Sequence, residues 1–143
     1  MSPSDQSTDS LPLNACPLQG GQKTGGDAQS TRAKGASAEE EAADYLEKQG
    51  FTIVARNFQI HIGEIDIIAR DKDGMLVFVE VKSSRGTRFG HPFFWVDRNK
   101  QRTLARVAQF YLAKNRTPRC PARFDVIAII NGKIEHLRNA FLV

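Results

Sequence analysis

The hydrophobic and polar positions of this chain predict helices at two places and strands at five. A capping-box pattern, Ser37-Ala38-Glu39-Glu40, begins an apolar stripe of helical period that stops at Gly50, a residue typical of helix C-termini. A second helical stripe runs from Asp97 to about Lys114. Short apolar runs predict strands near residues 51–59, 62–70, 75–83, 123–130 and 133–138. The order αβββαββ predicts an α/β domain in which helices pack on a mixed sheet.

Acidic side chains lie on two of these strands, where a core strand normally carries hydrocarbon. Alternation places Glu64 and Asp66 on one face of the second strand, and Glu80 and Lys82 on one face of the third. Apolar residues occupy both faces of these strands, so we expect the charged side chains to be largely buried. A buried charge without a partner is costly or becomes neutral. A metal ion with oxygen ligands is one way to stabilise such a cluster.

The second and third strands are expected to be neighbours in the sheet. The segment Asp71-Lys72-Asp73-Gly74 between them is a hairpin turn signal. A modest register offset would then bring Asp66 and Glu80 side by side on one face. The pattern therefore predicts one site that contains both carboxylates.

The first helix supplies one further acid. Of three consecutive glutamates, Glu39 lies closest to the apolar stripe, whereas Glu40 points away from it. Glu39 is therefore the one that can reach inward. For Glu40 and Glu41 we favour the alternative reading, stabilisation of the first helical turn through the helix dipole.

The second helix combines a core-facing lysine with an arginine face. Lys100 begins the core-facing stripe at the N-terminal end, where it can reach the sheet, and Arg98, Arg102 and Arg106 share the opposite face. Four aromatic residues precede this helix: Phe89, Phe93, Phe94 and Trp95. A cationic surface with exposed aromatics beside an acidic site predicts nucleic-acid binding. The alternative is that the aromatics belong to the core and the arginines form a solvated face.

Length and composition favour one domain with a tail. The chain has 143 residues, and residues 1–30 are rich in Ser, Thr, Pro and Gly without apolar periodicity, which predicts a disordered tail followed by a domain at 31–143. The tail carries a net charge of −2 and the whole chain +4, which leaves +6 on the domain and favours a polyanionic partner. There is no apolar run of membrane-spanning length and no secretory signal pattern. We expect a soluble cytoplasmic protein without a membrane partner.

Two levels of family resemblance are carried by these residues. Asp66 followed by Glu80-Val81-Lys82, with Glu39 on a leading helix, resembles the motif of the PD-(D/E)xK nuclease superfamily and its restriction-endonuclease-like fold. A wider set of segments is similar to the bacterial YraN family from about residue 35 to residue 142. These segments are Gly35, Glu39 and Ala42, Arg56-Asn57, Gly63-Glu64-Ile65-Asp66, Phe78-Val79-Glu80-Val81-Lys82, Phe89-Gly90 and Arg123-Phe124-Asp125-Val126.

The resemblance implies a three-layer, endonuclease-like domain, closest in plan to archaeal Holliday-junction resolvases. Such a domain would hydrolyse phosphodiesters of nucleic acid, with branched or junction DNA as a candidate substrate, and would use Mg²⁺ or Mn²⁺. Carried over position by position, Asp66 and Glu80 are the metal-binding acids, Lys82 is the motif lysine and Glu39 is the helix acid that completes the catalytic set. A junction-resolving role would require a symmetric homodimer.

The resemblance assigns no step to Glu64, Lys100 or Asp125, although these are family positions. Lys100 could contact the scissile phosphate. For Asp125 we favour a structural role, an ion pair with one of two arginines: Arg123 or Arg56. The chain departs from the pattern at Ile65, where the superfamily has Pro, and at Ala38, where the family has Gly. These departures bear on substrate contacts more than on the fold.

Two rival functions belong to other classes. The first is a nucleic-acid-binding module that keeps the fold and the basic surface but has no turnover. The second is a structural or adaptor protein in which Glu64, Asp66, Glu80 and Lys82 form a buried ion network. The joint presence of Asp66, Glu80 and Lys82 favours metal chemistry, because loss of any one of them would disable it.

Overall fold

A computed structural model describes residues 33–84, 96–117 and 119–141 of the chain. Within these ranges the elements follow the predicted order αβββαββ: α1 (Ala33–Lys48), β1 (Thr52–Ile60), β2 (Gly63–Arg70), β3 (Leu76–Ser84), α2 (Arg98–Lys114), β4 (Ala122–Ile130) and β5 (Lys133–Phe141). The tail predicted at residues 1–30 lies outside the described residues, as do the aromatics Phe89, Phe93, Phe94 and Trp95. Both expectations stay predictions.

The strands form one mixed sheet with the order β1-β2-β3-β4-β5. All neighbouring pairs are antiparallel except β3 and β4, which are parallel and are connected through α2. The β2–β3 turn is held by Asp71, whose carboxylate accepts hydrogen bonds from the backbone N–H groups of Asp73 and Met75, both at 2.9 Å. The predicted hairpin is therefore present. The described part of the chain contains no helix long and apolar enough to cross a membrane.

Side-chain alternation along the sheet divides the core into two layers. Val77 and Val79 of β3 pack with Ala42 and Leu46 of α1. Leu76 and Phe78, the intervening residues, pack with α2 on the other face, against Leu104, Val107 and Tyr111. Each fully buried side chain of this size contributes about 1.5–3 kcal/mol. The expected class, an α/β domain with a mixed central sheet between helical layers, is confirmed.

The first helix is longer than predicted at its start and ends where predicted. It begins at Ala33, before the Ser37 capping box, because alanine and lysine favour helix and need no cap at that point. At its end, Gly50 has a φ of 94° and donates to the Glu47 carbonyl, while the Phe51 N–H donates to that of Leu46. This glycine cap fixes where the chain turns into β1.

Strict alternation fails in β2. It predicts that Ile65 and Ile67 share a face, but Ile65 packs in the α2-side layer with Ile68, whereas Ile67 packs in the α1-side layer. The change occurs at Asp66, where β2 stops pairing with β3 after the pair Ile67 and Val79. A strand that leaves its neighbour is free to twist, so its side-chain pattern shifts there.

Candidate active site

Asp66 and Glu80 face each other where β2 and β3 part. The ladder between these strands ends at Ile67 and Val79, so Asp66 and Glu80 are the next residues on each strand. The Asp66 Oδ2 atom accepts a hydrogen bond of 2.8 Å from the backbone N–H of Val81. A side-chain carboxylate thus takes a backbone donor beyond the end of the ladder. The register offset that the sequence suggested is not needed to bring the two acids together.

Two ammonium groups share one oxygen of Glu80. The Glu80 Oε1 atom lies 3.2 Å from Lys82 Nζ and 3.6 Å from Lys100 Nζ. Lys82 comes from the same strand, while Lys100 comes from the first turn of α2, where Asp97 caps the helix by accepting from the Lys100 N–H. The other oxygen, Oε2, is buried and has no hydrogen-bond partner among the described residues, although the side chain is only 5% exposed. Half of this carboxylate is therefore unsatisfied.

Burial and the charge of Glu80 raise the pKa of Asp66 from 3.8 to about 7. The negative charges of Glu39 and Glu64 add to this effect, and the hydrogen bond from Val81 opposes it. Near neutral pH a substantial fraction of Asp66 is consequently protonated. A cation bound beside Asp66 would favour release of that proton.

Glu39 reaches the same region from α1. It is half-buried, and burial together with the charge of Glu64 raises its pKa, while a hydrogen bond from Asn57 and the charge of Arg56 lower it. Glu40 and Glu41 are exposed, as expected for residues that stabilise the helix through its dipole. We call the four acids that act on one another the acidic cluster: Glu39, Glu64, Asp66 and Glu80.

Glu64 differs from the expectation of burial, because its side chain is exposed. It lies one residue into β2, paired with Gln59 of the edge strand β1, where no further strand covers it. It acts on Glu39 and Asp66 through its charge.

Asp125 belongs to a separate and fully paired network. Its two oxygens lie 2.9 and 3.3 Å from nitrogens of Arg123, and it also accepts from the Asn139 N–H at 2.9 Å and contacts His136 Nε2 at 2.8 Å. Arg123 also binds Asp71 at 2.7 Å. Although burial raises the pKa of Asp125, the hydrogen bonds from His136, Arg123 and Asn139 prevail and lower it. We call this group the Asp125 network; it includes the pairing with Arg123 that the sequence favoured.

The acidic cluster offers oxygen ligands to a hard cation. In the described ranges, no three side chains from His, Cys, Asp and Glu are placed to hold an ion by themselves. Asp66 and Glu80, with the Val81 carbonyl, provide a smaller set. That set suits Mg²⁺, which is commonly held by one or two carboxylates, waters and substrate phosphates. The unsatisfied Oε2 atom of Glu80 supports this fit.

The arginine face of α2 is present as expected. Arg98, Arg102 and Arg106 are all exposed, while Leu104, Val107 and Tyr111 on the other side of the helix are buried. The same exposed side carries Phe110, which is 48% exposed. Among the residues predicted for the site, the structure therefore brings together Glu39, Asp66, Glu80, Lys82 and Lys100, with the arginines on the outer face of α2 and Asp125 in its own network.

Asn57 is a residue that the sequence did not single out for a role in the site. It was noticed only as part of an Arg56-Asn57 family segment. A polar Asn inside an otherwise apolar strand, with a tolerance for left-handed backbone, was the available signal.

The fold and the site define a class of α/β proteins in which acids of two diverging central strands meet an acid from one helix and a lysine from another. The model of the uncharacterised protein family UPF0102 matches residues 38–129, and the chain belongs to this family, as the similarity to YraN proteins indicated. UPF0102 proteins of Trichlorobacter lovleyi and Persephonella marina are both 44% identical to it, over 77% and 76% of this chain and 91% and 92% of their own lengths. That of Cupriavidus metallidurans is 46% identical over 80% of this chain and 84% of its own.

Solved structures show more distant likenesses. A repair endonuclease from Pyrococcus abyssi is 20% identical, with a TM-score of 0.43, and the match covers 73% of this chain and 40% of that one. A structure described as an EndoMS–dsDNA2 complex is 19% identical, with a TM-score of 0.39, over 72% of this chain and 38% of that one. This chain thus spans less than half the length of either.

Proposed function

We propose that this protein is a metal-dependent phosphodiesterase that acts on nucleic acid. The observation that carries the proposal is a buried Glu80 carboxylate with one unpartnered oxygen, facing a second buried carboxylate, Asp66, whose pKa is raised to about 7. Both features destabilise the folded protein by itself. A divalent cation would offset both at once, because it supplies a partner for the free oxygen and neutralises the repulsion.

The Asp125 network is the internal comparison. Asp125 is also buried, yet each of its oxygens has partners and its pKa is lowered rather than raised. The same sheet can therefore satisfy a buried aspartate when only stability is at stake. The acidic cluster is left unsatisfied, as is common where buried acids have a functional role.

Asp66 and Glu80 would hold the cation, with help from the Val81 carbonyl. Mg²⁺ or Mn²⁺ bound there would supply a Lewis acid that acidifies water and stabilises charge on the phosphoryl oxygens. Glu39 would orient the attacking water or a second cation from the α1 side. In hydrolysis, water adds to phosphorus, the bond to the leaving ribose oxygen breaks, and that oxygen takes up a proton.

Lys82 and Lys100 would act on the charge that develops at phosphorus. Each lies close to Glu80 Oε1, at 3.2 and 3.6 Å, so each is already held at the edge of the site. Lys82 would hold the attacking water or offset the developing negative charge, and Lys100 would contact the scissile phosphate. The α2 N-terminus, which carries Lys100, adds its own positive dipole end to the same place.

The proposed substrate is nucleic acid, with DNA favoured over RNA by the family resemblance. Arg98, Arg102 and Arg106 on the outer face of α2 would bind phosphates along the backbone. Branched or junction DNA follows only from the resemblance to resolvases, and so does the homodimer that such a substrate requires.

A test begins with the cation. Calorimetric titration of the full chain with Mn²⁺ should show binding that Glu80→Gln and Asp66→Asn remove, while Glu40→Gln, at an exposed position of α1, leaves it intact. A panel of linear, flapped and four-way DNA and RNA substrates then measures cleavage. Lys82→Ala should abolish cleavage and keep nucleic-acid binding. Mn²⁺ affinity that is unchanged in both acid variants would overturn the site.

The same experiment separates the two rivals. Binding to nucleic acid that weakens with salt, without cleavage under Mg²⁺ or Mn²⁺, would support the silent binding module. Neither binding nor cleavage would support the structural protein with an ion network. The unpaired Glu80 oxygen speaks against that last reading, since a network retained for stability is expected to be fully satisfied.

A further inference from the structure

Asn57 has a left-handed backbone conformation inside a strand. Its φ is 51°, although it lies within β1 (Thr52–Ile60). A non-glycine residue rarely adopts this conformation, and asparagine is one of the few that tolerates it. Backbone conformations of this kind are retained where the surrounding structure gains something from them, and they concentrate at functional sites.

The strand register places Asn57 in line with the acidic cluster. Arg56 pairs with Ile67 and Phe58 pairs with Ile65, so Asn57 lies across from Asp66. On the next strand, Glu80 follows the paired Val79 and lies across from Asp66 in turn. Asn57, Asp66 and Glu80 therefore occupy one row across three strands, and the distortion at Asn57 is local because both flanking pairs keep their register.

The Asn57 side chain connects this row to α1. Its carboxamide hydrogen-bonds the Glu39 carboxylate, and the charge of the preceding Arg56 acts favourably on the same carboxylate. In a regular strand consecutive side chains point to opposite faces, so only one of the two would be expected near Glu39. The left-handed residue breaks that alternation. Glu39 otherwise meets the repulsive charges of Glu64 and Glu80.

We propose that Asn57 is a positioning residue that fixes the Glu39 carboxylate beside the Asp66–Glu80 pair. Its catalytic consequence rests on the proposed metal-dependent function, whereas the Asn57–Glu39 contact does not. A glutamate on a helix has several rotamers, and a donor on the neighbouring strand selects one of them. Loss of such a supporting hydrogen bond typically lowers activity about 10-fold to 100-fold.

The chain contains a matched control for this residue. Asn131, in the turn between β4 and β5, has nearly the same backbone conformation, with a φ of 50°, and is exposed. Glycine accepts positive φ without strain, so Asn57→Gly and Asn131→Gly should both fold. They differ in whether the lost carboxamide faces Glu39. Asn57→Asp is a second variant that tolerates the conformation but replaces the donor with an acceptor.

One measurement does not depend on activity. In the ¹⁵N-labelled full chain, Glu39→Ala should shift the side-chain amide resonances of Asn57 and leave those of Asn131 in place, and Glu40→Ala should shift neither. Asn57 resonances that respond equally weakly to both substitutions would overturn the contact.

The second measurement is kinetic. Asn57→Gly and Asn57→Asp should lower kcat about 10-fold to 100-fold with little change in KM for the nucleic acid, while Asn131→Gly should match the wild type. In a Glu39→Ala background, Asn57→Gly should cause no further loss, because the group it positions is absent. Fully additive losses would refute a positioning role. A wild type without cleavage would refute the proposed function, and the amide resonances would still decide the contact.

Discussion

Replacing Asp66 by its neutral isostere is expected to stabilise the fold at neutral and alkaline pH. In the folded protein, burial and the charge of Glu80 raise the pKa of Asp66 to about 7, from 3.8. The Asp66→Asn side chain keeps an oxygen that can accept the 2.8 Å hydrogen bond from the Val81 N–H. The substitution therefore removes the charge and retains the contact.

The sign and size of the effect follow from proton linkage. Between the two pKa values the folded state binds more protons than the unfolded state, so stability falls as pH rises. The stability linked to Asp66 is fully present below the unfolded pKa of about 3.9 and is lost as pH rises through the folded pKa. At 1.36 kcal/mol per pKa unit the whole change is about 4 kcal/mol. Asp66 and Glu80 share this penalty, so we expect Asp66→Asn to recover about 2–4 kcal/mol at about pH 8.

Urea unfolding of the full chain at several pH values between about 4 and 8 measures this effect. The stability difference between Asp66→Asn and the wild type should grow across that range and level off above the folded pKa. Asp44→Asn, at an exposed position of α1, is the control and should show little pH-dependent difference. Saturating Mn²⁺ should stabilise the wild type, by about 2.7 kcal/mol at 100 times Kd, and should leave Asp66→Asn unchanged.

The opposite result would be informative. If Asp66→Asn lowers stability at pH values above the folded pKa, the Asp66 carboxylate is well satisfied by its surroundings, as that of Asp125 is. The acidic cluster would then be a structural network, and the main support for a cation site would be lost.

Three further outcomes follow from other parts of the molecule. Asp125→Asn should destabilise the fold by about 3–5 kcal/mol in urea unfolding, because it leaves a buried arginine without its charge partner; since its folded pKa is lowered, the stability that Asp125 contributes should be lost as pH falls through that pKa. Gly63→Ala should cost about 1–3 kcal/mol, because an added Cβ would meet Thr103 Cγ2 at 2.6 Å, and Thr103→Ser, which lacks that methyl group, should restore most of the loss. Charge reversal on the outer face of α2 should weaken binding to all nucleic acids alike and flatten the log–log salt dependence by about 0.9 per lost phosphate contact on duplex DNA; unchanged slopes would remove this face from the binding surface, whose substituted residues are Arg98, Arg102 and Arg106.

Local patterns were sufficient to predict most of the fold. Helical and strand periods are properties of short segments, and the Gly50 cap and the Asp71 turn depend on residues that are adjacent in sequence. These signals also place Asp66 and Glu80 on neighbouring strands. The start of α1 was predicted too late, since a capping box marks a suitable N-terminus but does not prevent a helix from beginning earlier.

Features of the site that depend on distant residues were less accessible. Alternation could not show that β2 leaves β3 at Asp66, because separation of two strands depends on twist and on what covers them. For the same reason it could not show that Glu64 is exposed on an edge of the sheet. The partners of Asp125 include His136 and Asn139 from β5, which no local pattern connects to it. Asn57 required the β1 register as well as its own φ.

The arrival of Lys100 at Glu80 follows from the topology. Parallel neighbours need a crossover connection, so the chain must return from the end of β3 to the start of β4. The crossover contains α2, whose first turn is therefore at the end of β3 that carries Glu80 and Lys82, while Tyr111 near its other end packs on Phe78. The helix N-terminus brings a positive dipole end and a lysine to a pair of buried acids. A sheet that parts β2 from β3 and joins β3 to β4 in parallel thus assembles acids and cations at one point, and any polyanion held along the outer arginines of α2 would lie on the helix that delivers Lys100 to that point.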